Sequence, residues 1–226
     1  MPSAQSVQTI LAHRFPDAVP RFGWTRGTVP TGITALDAIL PDGGFQRGRL
    51  AVWLPGPGAP ALLRAACLRV VAEGERGAWI DATHTVTGAC WKDGPLLIRP
   101  DTSIAGLSAA EELARSGGFA LVVLDGLDPH ATSMVRLSRA AHEGGSALVL
   151  LSNTTSLASL RLASRPLPAQ YVRRRSQLGE PDVVTAVTLR VEARASGWSA
   201  STELVIPVWY DDPRLAPDHS YPDRRG

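Results

Sequence analysis

Residues 54–61 read Leu-Pro-Gly-Pro-Gly-Ala-Pro-Ala, set between an apolar strand-like stretch at 49–54 and a helical one at 61–73. A strand, a glycine-rich turn and a helix are the place where an α/β chain holds phosphate groups. That chemistry needs successive backbone N–H groups, a lysine ammonium for the outer phosphates and a Ser or Thr hydroxyl for magnesium. Pro55, Pro57 and Pro60 have no N–H to give, and neither Ala61 nor Leu62 carries a hydroxyl. Lys92 is the only lysine among 226 residues, against 22 arginines, so none precedes it. Pro55, Gly56, Pro57, Gly58, Ala59, Pro60 and Ala61 therefore read as a degenerate phosphate loop.

Three other strand ends could supply the rest of such a site. Trp79-Ile80-Asp81-Ala82-Thr83-His84 places Thr83 and His84 at a loop tip, where a carboxylate would have to orient an attacking water. Phe119–Asp125 is an apolar run ending in an acid, the form of a strand whose carboxylate holds Mg²⁺. Without phosphates to share the metal, Asp125 reads as vestigial. At Leu150–Thr154, the polar residues Ser152, Asn153 and Thr154 read as a cap on the following turn. The five histidines and two cysteines (Cys67 and Cys90) show no metal spacing and no nucleophile–base pairing. No enzyme activity, cofactor or metal is expected.

The elements that position these loops follow from periodicity. Val7, Ile10, Leu11 and Phe15 recur at helical spacing and make an amphipathic helix at 4–15, followed by a Pro/Gly linker. A helix is expected at 31–40, with Thr34 as its N-cap. Strands at 49–54, 77–81, 96–99, 119–124 and 146–151 alternate with helices at 61–73, 106–116 and 132–142. Ser108 and Glu111 have the spacing of a capping box at the start of the second of these helices. Continuously apolar strands separated by helices predict a mostly parallel sheet covered on both faces. Beyond Pro168 the pattern becomes alternating at 183–193 and 202–209 around Gly197, an antiparallel hairpin on the sheet edge. The organisation is read as a helix and linker at 1–24, an α/β core at 25–210 and a disordered tail at 211–226. No apolar run is long enough to span a membrane, and the N-terminus lacks the pattern of an export signal, so a cytoplasmic location is expected.

Taken in order, several segments resemble the RecA recombinase core. Thr31-Gly32-Ile33-Thr34-Ala35-Leu36-Asp37 is similar to that family's TGxxxLD stretch, and Gly43–Leu50 to its GGxPxGR entry into the phosphate loop. Ala78–His84 is similar to its AFIDAEH, with Thr83 in place of the catalytic glutamate; Asn153 stands in place of its sensor glutamine. The resemblance implies a RecA-like fold, and the departures imply a pseudo-ATPase. A compact RecA-like chain with these losses resembles the ImuA family, accessory proteins of DNA-damage-induced mutagenesis. Membership would imply RecA and an ImuB-type Y-family-polymerase-like protein as partners, and an error-prone replicative polymerase indirectly. The helix carrying Val7, Ile10, Leu11 and Phe15 would then be the docking element. SulA-like cell-division inhibitors that bind FtsZ are the second resemblance. DNA binding is a third reading, through Arg161, Arg165, Arg173, Arg174 and Arg175, since arginine clusters neutralise phosphates.

Overall fold

The computed structural model describes residues 27–86, 94–174 and 183–207. The expected N-terminal helix with Val7, Ile10, Leu11 and Phe15, together with Lys92, Cys90, Arg175 and the tail, lies outside the described residues.

Two small strands, β1 (Thr28–Val29) and β2 (Phe45–Gln46), pair antiparallel and bracket the short helix α1 (Thr34–Asp37). Gly44 lies where they cross: a Cβ there would stand 2.5 Å from the Val29 carbonyl oxygen. Then come β3 (Leu50–Trp53), α2 (Ala59–Ala72), β4 (Gly77–Asp81), β5 (Leu96–Ile98), α3 (Ser103–Arg115), β6 (Leu121–Asp125), α4 (Ala131–Gly144) and β7 (Ala147–Leu151). Three long strands close the chain: β8 (Leu160–Arg174), β9 (Val183–Ala195) and β10 (Trp198–Pro207). Strands β3 to β10 form one eight-stranded sheet in the order β10-β9-β8-β3-β7-β6-β4-β5. Pairing is parallel from β8 through β5, and antiparallel across β8, β9 and β10. This is the expected mostly parallel sheet with a C-terminal antiparallel hairpin.

Strand alternation divides the core into two layers. On one side Ala51, Trp53, Trp79, Val149 and Leu151 meet Leu62, Leu63, Ala66 and Val70 of α2. On the other, Val52, Val122, Leu148 and Leu150 meet Ala110 and Ala114 of α3 and Met134 and Leu137 of α4. Each large side chain so buried contributes about 1.5–3 kcal/mol, which is why the middle strands are apolar throughout. Cys67 of α2 is a free thiol in the first layer, and burial pushes its pKa far up, so it behaves as a small apolar group. Among the described residues no helix is long and apolar enough to cross a membrane.

Three local expectations need correction. The helix expected at 31–40 is only Thr34–Asp37, and Thr34 is its first residue rather than its cap. The Asp37 carboxylate instead accepts from the Thr31 N–H (2.8 Å), the Thr31 hydroxyl (2.7 Å) and the Gly32 N–H (3.2 Å), folding the preceding turn onto the helix. The helix expected to start at 106 starts at Ser103, and its cap is Thr102, whose hydroxyl accepts from the Ala105 N–H at 3.1 Å. Ser108 and Glu111 are therefore interior, and Glu111 pairs with Arg115 and Arg136. Gly106 misleads as a boundary: it is inside the helix because Leu127 and Pro100 stand 3.0 and 3.1 Å from where its Cβ would be. Finally, β8 was not among the expected strands, and it contains Pro166 and Pro168, residues uncommon inside a sheet. Both lie beyond Leu162, the last residue paired with β3, and the register with β9 shifts between Pro166 and Tyr171. A proline is tolerated at such an irregularity because its missing N–H breaks no regular ladder.

Candidate functional site

The parallel strands end in one row: Leu162, Trp53, Leu151, Asp125 and Asp81 are lateral neighbours across β8, β3, β7, β6 and β4. The loops leaving this row carry the residues singled out in the sequence, on the side of the sheet where α/β proteins bind ligands.

The first loop leads from β3 into α2. Leu54 donates its N–H to the Leu162 carbonyl at 2.8 Å, and the Ser164 hydroxyl donates to the Pro57 carbonyl at 2.8 Å. Gly58 caps α2 in the left-handed conformation (φ 80°), and Pro60 occupies the first turn. The Ala59 N–H donates to the Gly56 carbonyl at 3.3 Å, and the Leu62 N–H to that of Gly58 at 3.0 Å. A Cβ on Gly58 would stand 2.1 Å from Cδ1 of Leu189 and 3.3 Å from Cδ1 of Ile206. Both are buried members of the first core layer. The hairpin β9–β10 thus lays two apolar side chains against the residue that opens α2, while β8 holds the loop by its backbone and by Ser164.

The second loop, 82–86, is organised by Asp81, which is fully buried. One carboxylate oxygen accepts from the Thr83 hydroxyl (3.0 Å) and the Thr85 N–H (3.1 Å). The other accepts from the Val86 N–H (3.0 Å) and lies 3.5 Å from Nε of Arg99. Arg99 also donates to the Val86 carbonyl. Asp81 is committed to closing this turn. Thr83 shares a second hydroxyl contact with Thr85 at 2.9 Å, and its methyl group packs on Gly126. Gly126 has φ 82°, and a Cβ on it would stand 2.2 Å from that methyl. His84, at φ 57°, brings Nε2 to 3.1 Å from the Pro100 carbonyl oxygen. Asp125 is half-buried at the end of β6, and its carbonyl accepts the Ala82 N–H at 3.1 Å.

The third and fourth loops are tied together by Asp128, which the sequence reading missed. Its carboxylate accepts from the Ser152 hydroxyl (2.7 Å) and the Asn153 N–H (2.8 Å), and these bonds hold its pKa below the ordinary carboxylate value. The Thr154 N–H donates to the Ser152 hydroxyl at 3.0 Å, a local turn of the kind serine favours. Among the described residues no group of His, Cys, Asp and Glu could hold a metal ion.

The four of these arginines that lie among the described residues fall at two separate stretches of β8. Arg161 and Arg165 project from the start of β8, opposite Arg194 and Arg190 of β9. Arg173 and Arg174 follow eight and nine residues after Arg165, about 26 Å along an extended strand, beside Val184 and Val183. Arg190 and Arg194 could have been found from the alternation in Thr188–Arg194, which puts Arg190, Glu192 and Arg194 on one face.

No protein-family model matches the chain. Over 107 residues it is 38% identical to Protein RecA of Bacillus licheniformis, a match that takes in 43% of this chain and 30% of that one. Protein RecA of Oceanobacillus iheyensis is 38% identical over 108 residues, again 43% of this chain and 30% of the relative. The matches thus span less than a third of these curated relatives. Among solved structures, the RadB recombinase superposes with a TM-score of 0.54 at 17% identity, covering 76% of this chain and 94% of that one. The fold is RecA-like.

Proposed function

We propose that this chain is a RecA-like pseudo-ATPase that serves as an accessory factor of DNA-damage-induced translesion synthesis, of the ImuA kind. Its partners in this reading are RecA and an ImuB-type Y-family-polymerase-like protein, through which an error-prone replicative polymerase is engaged. The observation that carries the reading is the packing at Gly58. A loop with three imino acids and no lysine opens a helix whose capping residue packs against the apolar side chains of Leu189 and Ile206. A triphosphate is held by amides, an ammonium and a metal, and this arrangement favours apolar contact there. Thr83, hydrogen-bonded to Asp81 and packed on Gly126, supports the same reading, since it fills a catalytic acid's place with a structural group. A subunit without ATP at its boundary would join a RecA filament end and limit growth rather than extend it.

Two measurements test this. Calorimetry with Mg-ATP is expected to show no heat, and the melting temperature no shift, because a ligand at a hundred times its Kd would stabilise the fold by about 2.7 kcal/mol. A saturable isotherm would remove the pseudo-ATPase reading. In parallel pull-downs, RecA and the Y-family partner are expected to be captured and FtsZ not. Deleting residues 1–22 is expected to abolish RecA capture, and undiminished capture would exclude the amphipathic helix as the docking element.

A further inference from the structure

The sheet is covered on its second side by α3 and α4, which pack over β3, β4, β6 and β7. Among the described residues no helix packs in the same way on that side of β8, β9 and β10. Arg161 lies there, because it is the lateral partner of Val52, a member of the second core layer. Strand alternation and register then place Arg165, Arg190, Glu192, Arg194, Glu203 and Val205 on this face, while Leu162, Leu189, Val191, Leu204 and Ile206 point into the first layer. Three of these guanidinium groups share one carboxylate, Glu192: Arg194 approaches it at 3.0 Å, and Arg165 and Arg190 only at 3.8 Å. Among the described residues no carboxylate is within ion-pair distance of Arg161. Arg165 and Arg194 remain 62% and 70% exposed.

This basic strip continues into a groove lined by Leu54, Thr155, Arg161, Ala163, Glu192 and Arg194. Leu54 at its end is 36% exposed, and Val205 on the same face is 61% exposed. The loop that supplies Thr155 also holds Leu157 at φ 61°, 55% exposed, a backbone conformation that a leucine adopts only at a cost.

We propose that this open face of β8–β10 is the docking surface for an acidic segment with interspersed apolar residues, contributed by a partner protein. Carboxylates of such a segment pair with Arg161 and Arg194 at one end and Arg165 and Arg190 at the other, and apolar side chains cover Leu54 and Val205. A nucleic-acid strand fits less well. Glu192 and Glu203 sit among the arginines and repel a continuous line of phosphates, and among the described side chains on this face none is aromatic to stack a base. The exposed leucine and valine offer a phosphate backbone nothing. This surface is independent of the nucleotide-site reading, because a chain that bound Mg-ATP would carry it equally.

The test is fluorescence anisotropy with three probes on the full chain at two salt concentrations. They are a labelled peptide of alternating glutamate and leucine, the same peptide with glutamine for glutamate, and a single-stranded oligonucleotide. The acidic peptide is expected to bind at least about tenfold more tightly than either of the others, and R161E/R194E to weaken it by about tenfold or more. Where the reversal does not fold by circular dichroism, R161Q/R194Q is read instead, with a loss of about fivefold expected. Undiminished peptide binding in the folded variant overturns the proposal. So does an oligonucleotide that binds as tightly as the peptide, or a wild-type chain that binds no peptide at all.

Discussion

Replacing Gly144 by alanine is expected to cost about 3 kcal/mol or more, and replacing it by leucine to abolish cooperative unfolding altogether. A Cβ at this last residue of α4 would stand 1.7 Å from the Ala114 carbonyl oxygen, 2.5 Å from Cα of Arg115 and 2.6 Å from the Ala114 carbonyl carbon. All three are backbone atoms of α3, so no side-chain rotation relieves the clash and the two helices must separate. The buried Ser146 hydroxyl lies between this carbonyl at 3.1 Å and the Phe119 carbonyl at 2.6 Å, and shares its one hydrogen between them. Displacing α3 therefore breaks the bonds that fasten the starts of β6 and β7. A domain of this kind has roughly 5–15 kcal/mol in total, so the alanine variant loses a large part of it. The control is Gly118→Ala, where the nearest atom to the added carbon is Oγ of Ser116 at 3.5 Å. Urea unfolding reads both, and a loss below about 1 kcal/mol for Gly144→Ala would show that the helices give way freely.

Asp81→Ala is expected to destabilise by about 3–5 kcal/mol, a fall in Tm of roughly 6–20 °C for a domain of this size. The fully buried carboxylate is the acceptor for the Thr83 hydroxyl and for the Thr85 and Val86 amides, and it faces Arg99. Removing it leaves those donors without acceptors inside the protein, which costs more than the bonds are worth when made. Asp81→Asn is expected to fall between, because one oxygen still accepts while the amide NH₂ faces a donor. The result distinguishes two roles for an acid at this strand end. A residue kept for chemistry would tolerate Asn with little loss of stability; one kept for structure would not. Equal melting temperatures for all three proteins would contradict the structural role.

How far the residues alone disclosed this arrangement varies along the chain. The middle of the sheet was legible because Leu121–Asp125 and Ala147–Leu151 are buried on both faces, and burial demands an unbroken apolar run. The hairpin was legible because β9 and β10 bury Leu189, Val191, Leu204 and Ile206 on one face and expose Arg194, Glu203 and Val205 on the other, so their residues must alternate. Helix starts were less so: Ser108 and Glu111 have the spacing of a cap, and only the extended backbone at Thr102 shows which residue does the capping. β8 escaped notice, and it carries Pro166 and Pro168, which argue against a strand; only the shifted register with β9 shows why both are tolerated.

At the candidate site the division follows range. That the loop at 55–61 lacks a lysine, a hydroxyl and three amide hydrogens is a property of residue types, and no folding changes it. What touches Gly58 is set by Leu189 and Ile206, more than a hundred residues away, because β8 and β9 carry the hairpin back across the end of β3. The same return separates Arg173 and Arg174 from Arg161 and Arg165 and gives the latter Arg190 and Arg194 as neighbours. Residue type is local, so the chain alone declares which chemical groups are absent. Proximity between distant segments is created by strand pairing, so only the folded sheet decides which groups meet.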